Sequence, residues 1–252
     1  MKLSKAIKYY LIGTILQIGI VCGILAVLRI FKINYSNITG FTFTVIGGLS
    51  SAIWGIIISK RSGRVHSYLQ ILKDFFNIRQ FLRYYILLVL FLLIIFGKQL
   101  FTGEILESAR WYTFFLLFLK AIMFGGIEEI GWRYTLQPML EEYLPFEAAS
   151  LITFVSWGVW HYMYFYIVGA ISDISHVSFL IGLLCSSFIL GVIFTLSKSL
   201  WLCVLYHSML NVFSQTLKSA TMIQTLITTI ICIVLSILMV RKRVDYKHRT
   251  YK

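Results

Sequence analysis

The chain has 252 residues, of which 59% are hydrophobic, 16% aromatic and 13% charged, and its mean hydropathy is +0.83. Too few polar residues are present to cover a water-facing surface, so the composition excludes an ordinary soluble domain and marks an integral, polytopic membrane protein. A formal net charge of +13 would suit nucleic acid, but the lysines and arginines lie between apolar runs, where they orient a chain in the bilayer, so nucleic acid is not an expected partner.

A spanning helix needs about 20 mostly apolar residues, and eight segments qualify, at roughly 9–30, 38–59, 82–101, 110–127, 148–168, 177–197, 199–217 and 220–240. The expected fold is all-α: a transmembrane helix bundle of about eight spans forming a single membrane domain over 1–252. Lys2, Lys5 and Lys8 precede the first run as they would in a signal peptide. That run is long and lacks a small-residue cleavage site, so it is read as a retained first span.

Residues 60–83 form the longest inner connection, with Leu69, Leu72, Phe75 and Phe76 at helical spacing among basic residues. The pattern suits a helix on an anionic inner leaflet and equally a connector packed on the bundle. The last three runs are joined by short turns and are expected to pack as antiparallel neighbours. Cys22, Cys185, Cys203 and Cys232 form no CxxC pair, so they read as packing residues. With the N-terminus cytoplasmic, the inner connections hold sixteen lysines and arginines, among them Lys247, Arg249 and Lys252, against five in the outer ones. That asymmetry favours both termini inside, as an even number of spans requires.

The chemistry concentrates after the fourth run. Glu128 and Glu129 are adjacent in a chain with only ten carboxylates, about 17 residues or roughly 26 Å into that run and so near the cytoplasmic end of the hydrocarbon layer. Acids there are costly, which makes a functional role the first expectation. Arg133 stands at i,i+4 from Glu129, the spacing at which the two meet on one helix face. Glu128 points about 100° away, which leaves it free to face a cavity. Gly125, Gly126 and Gly131 permit close approach of another helix or of an extended substrate. In the fifth run Trp157 precedes His161 by one turn, and in the seventh His207 and Asn211 share a face. Interhelical hydrogen bonding alone accounts for any one of these; an acid, a histidine and a histidine–asparagine pair on three separate spans point to a site.

These residues resemble the CPBP family, also called Abi, which comprises CAAX proteases and bacteriocin-processing enzymes and includes the Ras-converting prenyl-protein endopeptidase. The family pattern is Glu-Glu-x-x-x-Arg, then Phe-x-x-x-His, then His-x-x-x-Asn or Asp on successive membrane helices. Here it reads Glu128-Glu129-Ile130-Gly131-Trp132-Arg133, Trp157-Gly158-Val159-Trp160-His161 and His207-Ser208-Met209-Leu210-Asn211. Trp157 stands where the family usually has Phe. The resemblance covers about 110–217 and implies an intramembrane protease.

For hydrolysis, Glu128 can take a proton from water, His161 can hold that water, and His207 with Asn211 can donate to the developing oxyanion. Glu129, Arg133 and Trp157 are expected to support them. A second mechanism uses Glu128, His161 and His207 as ligands of Zn2+. Neither histidine has a carboxylate partner nearby in sequence, which favours metal-free water activation. The expected partners are the bilayer and a peptide or membrane-protein substrate, and a bacterial plasma membrane fits the short loops. Two other functions remain open: a non-catalytic binding, immunity or regulatory protein using the same cavity, and a proton-coupled transporter.

Overall fold

Apolar runs without proline fold as helices in lipid, because every backbone N–H and C=O must be satisfied within the segment. Both prolines fall outside such runs: Pro138 is in the first turn of a short helix and Pro145 precedes the first residue of a long one. The structure is a computed structural model that describes residues 1–243 throughout and the helical backbone to Thr250; of the orienting charges, the side chains of Lys247 and Arg249 and the whole of Lys252 lie outside what is described.

The architecture is all-α. Among the described residues six helices are long and apolar enough to cross a membrane: α1 (Leu3–Ile30), the pair α2 (Asn37–Gly48) and α3 (Ser50–Arg61) interrupted at Leu49, α5 (Leu82–Thr102), α9 (Phe146–Val168), α10 (His176–Ser197) and α12 over Met222–Arg243. The expected spans at 110–127 and 199–217 are shorter. The first is α6 (Thr113–Phe124), 12 residues that stop at Gly125, and the second is α11 (Leu200–Thr216), 17 residues. At 1.5 Å per residue these reach about 18 and 26 Å, less than a hydrocarbon core of about 30 Å. Consecutive glycines stop α6, because each is among the poorest helix formers.

The chain from 126 to 141 is a broken helix: one 3-10 turn, the α turn α7 (Glu129–Gly131), a π turn over Trp132–Leu136 and α8 (Gln137–Glu141). Glu128 and Glu129 therefore sit just past α6, not inside a continuous fourth span. Such turns inside helices mark functional positions more often than chance.

Helix α10 is the central post, the most deeply buried of these six. It runs beside α9, α11 and α12, whereas α11 lies chiefly along α6 and leaves α12 to α10. The last three helices are thus neighbours through α10, and not all of one another. Helix α1 packs on α3 and α9, with Tyr10 edge-on to the buried Trp132 ring at 5.7 Å.

Helix α3 carries the fold up to the broken segment through small residues. A Cβ on Gly131 would lie 2.4 Å from the Ser51 carbonyl oxygen, and one on Gly55 would lie 2.8 Å from the Gly131 Cα. The two backbones therefore touch. The contact is locked by hydroxyls: Ser59 Oγ and Thr135 Oγ1 are 2.7 Å apart, and Thr135 Oγ1 also donates toward the carbonyls of Ile130 and Gly55 at 2.7 and 3.2 Å. In the connection at 60–83, α4 (Tyr68–Phe75) buries Ile71 and Phe75 against the bundle and exposes Leu69, Leu72 and Phe76. The packing expected of a connector holds on the Ile71–Phe75 side of the helix.

Backbone cannot yield as a side chain can, so Gly131→Ala is expected to destabilise the protein by roughly 1–3 kcal/mol. Gly19→Ala, where a Cβ meets nothing within 4 Å, is the control. Thermal unfolding in detergent should separate the two, with Gly131→Ala alone shifting the midpoint downward.

Candidate active site

Gly125 and Gly126 bring the broken segment onto α11. A Cβ on Gly126 would meet Val204 Cγ1 at 2.7 Å, and one on Gly125 would meet Asn211 Nδ2 at 2.3 Å and His207 Nε2 at 3.2 Å. The polar ends of His207 and Asn211 thus occupy the space that any side chain at 125 would take. The close approach expected of the glycine pair is to a helix.

Beyond the glycines the two acids diverge. Glu129 is fully buried, and its Oε1 accepts from Arg133 Nη1 at 3.2 Å and lies 2.7 Å from His207 Nδ1. The Glu129–Arg133 pair is the i,i+4 contact the spacing predicts. Glu128 is 4% exposed, and its Oε2 accepts from the Trp157 indole N–H at 2.8 Å. The Arg133 guanidinium lies over the Trp157 ring, its Cζ 4.1 Å from the ring centre, where the π face attracts a cation. Trp157 therefore binds an acid with its edge and a cation with its face. A phenylalanine at this position does only the second.

His161 Nδ1 is 2.9 Å from the Trp157 carbonyl oxygen, one turn earlier on α9. A carbonyl only accepts, so this nitrogen carries the proton and Nε2 keeps a lone pair. Trp157 and Trp160 stand edge-on to the His161 ring, each 5.0 Å away, and fix its plane. His207 repeats the pattern with a charged partner: its Nδ1 donates to the Glu129 carboxylate, and its Nε2 is turned to Gly125.

Glu128, His161, His207 and Asn211 line one cavity of about 360 Å³, together with Gly125, Lys120, Tyr164 and Gln215. A second, more apolar cavity of about 290 Å³ is lined by His161, His207 and Asn211 on one side and by Phe96, Phe179 and Leu183 on another. The imidazoles and the amide are thus common to a polar and an apolar chamber. Lys120 and Gln215 are lining residues that sequence reasoning missed. A lysine seven residues into an apolar helix was the available signal for the first; Gln215, one turn after Asn211, was the signal for the second.

The alternative set of Zn2+ ligands does not fit this arrangement. Among the described residues no three His, Cys, Asp or Glu side chains gather closely enough to share a metal ion, and one Glu128 oxygen is already engaged by the indole. The sequence argument against a metal nonetheless loses its premise: His207 does have a carboxylate partner, Glu129, 78 residues away in the chain.

Removing Glu129 strands a buried guanidinium, for which the loss is roughly 3–5 kcal/mol. Glu129→Ala is expected to fall in that range in thermal unfolding, and adding Arg133→Met is expected to recover most of it. Trp157→Phe keeps an aromatic face but withdraws the indole donor from a buried carboxylate, which costs roughly 1–3 kcal/mol. The same unfolding series checks it, with Trp157→Phe expected between wild type and Glu129→Ala.

Among known proteins, residues 109–213 match the family described as type II CAAX prenyl endopeptidase Rce1-like. No curated protein matches the chain. The matched stretch begins in the turn before α6 and ends within α11, so it holds all three motifs and both glycine contacts. Residues 109–213 are thus similar to the CPBP family, a family of membrane proteases.

Proposed function

We propose that this protein is an intramembrane endopeptidase that hydrolyses a peptide bond of a membrane-associated peptide or protein near the cytoplasmic leaflet, with water activated at a Glu/His site. The observation that carries the reading is the shared cavity: an acid from the broken segment, a histidine from α9, and a histidine and an amide from α11 all line it. Helices from three parts of the sequence converge on one hollow, and what they bring is a base, a water holder and donors.

Each step follows from the atoms left free. Glu128 Oε2 is held by Trp157, so the carboxylate is oriented and Oε1 remains for a water, from which it removes the proton as hydroxide attacks the peptide carbonyl. His161 Nε2, the unprotonated nitrogen, accepts a hydrogen bond from that water and fixes its line of attack. The carbonyl oxygen gains negative charge, for which Asn211 Nδ2 is a ready donor. Donation from His207 Nε2 requires protons on both ring nitrogens, and the Glu129 carboxylate at Nδ1 is the counter-charge that this form needs. Glu128 then returns its proton to the leaving amine. In a chamber with little water these hydrogen bonds count for more than in bulk solvent.

The apolar chamber gives the substrate a place. An extended peptide crossing the His161–His207 wall can set an apolar side chain among Phe96, Phe179 and Leu183 and leave its scissile carbonyl on the polar side.

Comparative membrane peptidomics of wild type against Glu128→Ala tests the reading: peptides present only with wild type are expected, and identical peptidomes sink it. His161→Ala is expected to behave as Glu128→Ala does. Gly125→Ala, which displaces the Asn211 and His207 nitrogens, is expected to lower turnover at least a hundredfold, about the effect of losing one oxyanion donor. Cleavage is expected to survive a zinc chelator. Full biological complementation by Glu128→Gln would identify a binding or immunity role for the same cavity instead.

A further inference from the structure

The stretch 60–83, from the last turn of α3 to the first turn of α5, carries six cations, Lys60, Arg61, Arg64, Lys73, Arg79 and Arg83, and one acid, Asp74. Asp74 is occupied: its carboxylate accepts from the Tyr134 hydroxyl at 2.6 Å. Arg64 is paired with Glu142 at 2.5 Å, while Lys73, Arg79 and Arg83 are exposed. The stretch starts at the end of one apolar span and ends where the next begins. Connectivity therefore holds α4 at the bilayer surface.

The apolar sector of α4 is wider than the protein covers. At about 100° per residue, Ile71, Phe75, Tyr68, Leu72, Phe76 and Leu69 follow one another over a single arc of about 160°. The Ile71 and Phe75 end is buried in a cluster with Ile130, Leu200 and Val204, which Ile127 adjoins. The rest is open: Tyr68, Leu69, Leu72 and Phe76 are each more than half exposed. Lys73 borders that open end. An exposed apolar arc edged by cations, at the depth where two spans surface, complements acyl chains beneath anionic headgroups and not water.

The inner face gives this surface a link to the candidate site. Ile127 and Ile130 flank Glu128 and Glu129 in sequence, Val204 packs on Gly126, and Tyr134 follows Arg133. Helix α4 thus shares one apolar cluster with the turn that bears the two acids and is hydrogen-bonded, through Asp74 and Tyr134, to the chain just beyond it.

We propose that α4 is a lipid-docking element: anionic phospholipid seats its outer face, and the seated helix holds the Glu128–Glu129 turn in place. The docking stands independently of the protease reading; its effect on turnover rests on it.

The test is hydrogen exchange by mass spectrometry on the full chain in nanodiscs of phosphatidylcholine, with and without phosphatidylglycerol. Amides of 68–76 and of 126–134 are expected to exchange severalfold more slowly in the anionic discs. The difference is expected to vanish at high salt and in K73E/R79E, a variant that leaves the apolar contacts intact. Equal exchange in the two discs, or slowing that the charge reversal does not touch, overturns the proposal. Slowing confined to 68–76 overturns the link to the acids. Peptide cleavage in the same discs is expected to rise severalfold with phosphatidylglycerol. An exchange response with no cleavage in any disc would count against the endopeptidase and leave the docking standing.

Discussion

One carboxylate oxygen organises the interior of this protein. Glu129 Oε1 faces the Arg133 guanidinium and the His207 imidazole together, tying the broken segment to itself and then to α11. Both Glu129 and Arg133 are fully buried, and the interior leaves some of their capacity unused: Glu129 Oε2 and Arg133 Nε and Nη2 find no protein partner. Apolar residues of similar size would hold the fold as well or better. The cluster therefore makes sense as the device that fixes His207 and orients its ring, with fold stability supplied elsewhere.

That supply comes from close backbone contact. A bundle in lipid gains little from burying apolar surface, because the alternative environment is equally apolar; helices associate by close packing and interhelical hydrogen bonds. Gly55 against Gly131 and Gly125–Gly126 against α11 let the broken segment lie within van der Waals contact of helices on both sides. Thr135 and Ser59 add hydroxyl bonds at the first contact. The irregular backbone of 126–136 is tolerable at this depth only because protein, not lipid, surrounds it.

Much of this was legible in the sequence, and the limits have physical causes. Hydropathy marks the helices because lipid makes one demand on every spanning segment, and the Glu129–Arg133 contact follows from helical spacing alone. The end of α6 was written in Gly125–Gly126, but hydropathy averages over a window and carried the run through to 127. The Glu129–His207 and Glu128–Trp157 bonds join residues 78 and 29 positions apart, and no local periodicity encodes such pairings. The three motifs indicated which residues belong together but not which atom faces which.

Trp157 shows what that difference means for mechanism. As an aromatic spacer it would shape the pocket and nothing more. Placed between Glu128 and Arg133 it lets one acid and the cation paired with Glu129 share one rigid side chain. Its backbone carbonyl also fixes the His161 proton on Nδ1. A single residue on α9 thus sets the orientation of the acid and the tautomer of the histidine that line the same cavity. Under the proposed hydrolysis both settings precede substrate, and preorganised groups of this kind lower a barrier without having to reorient during the reaction.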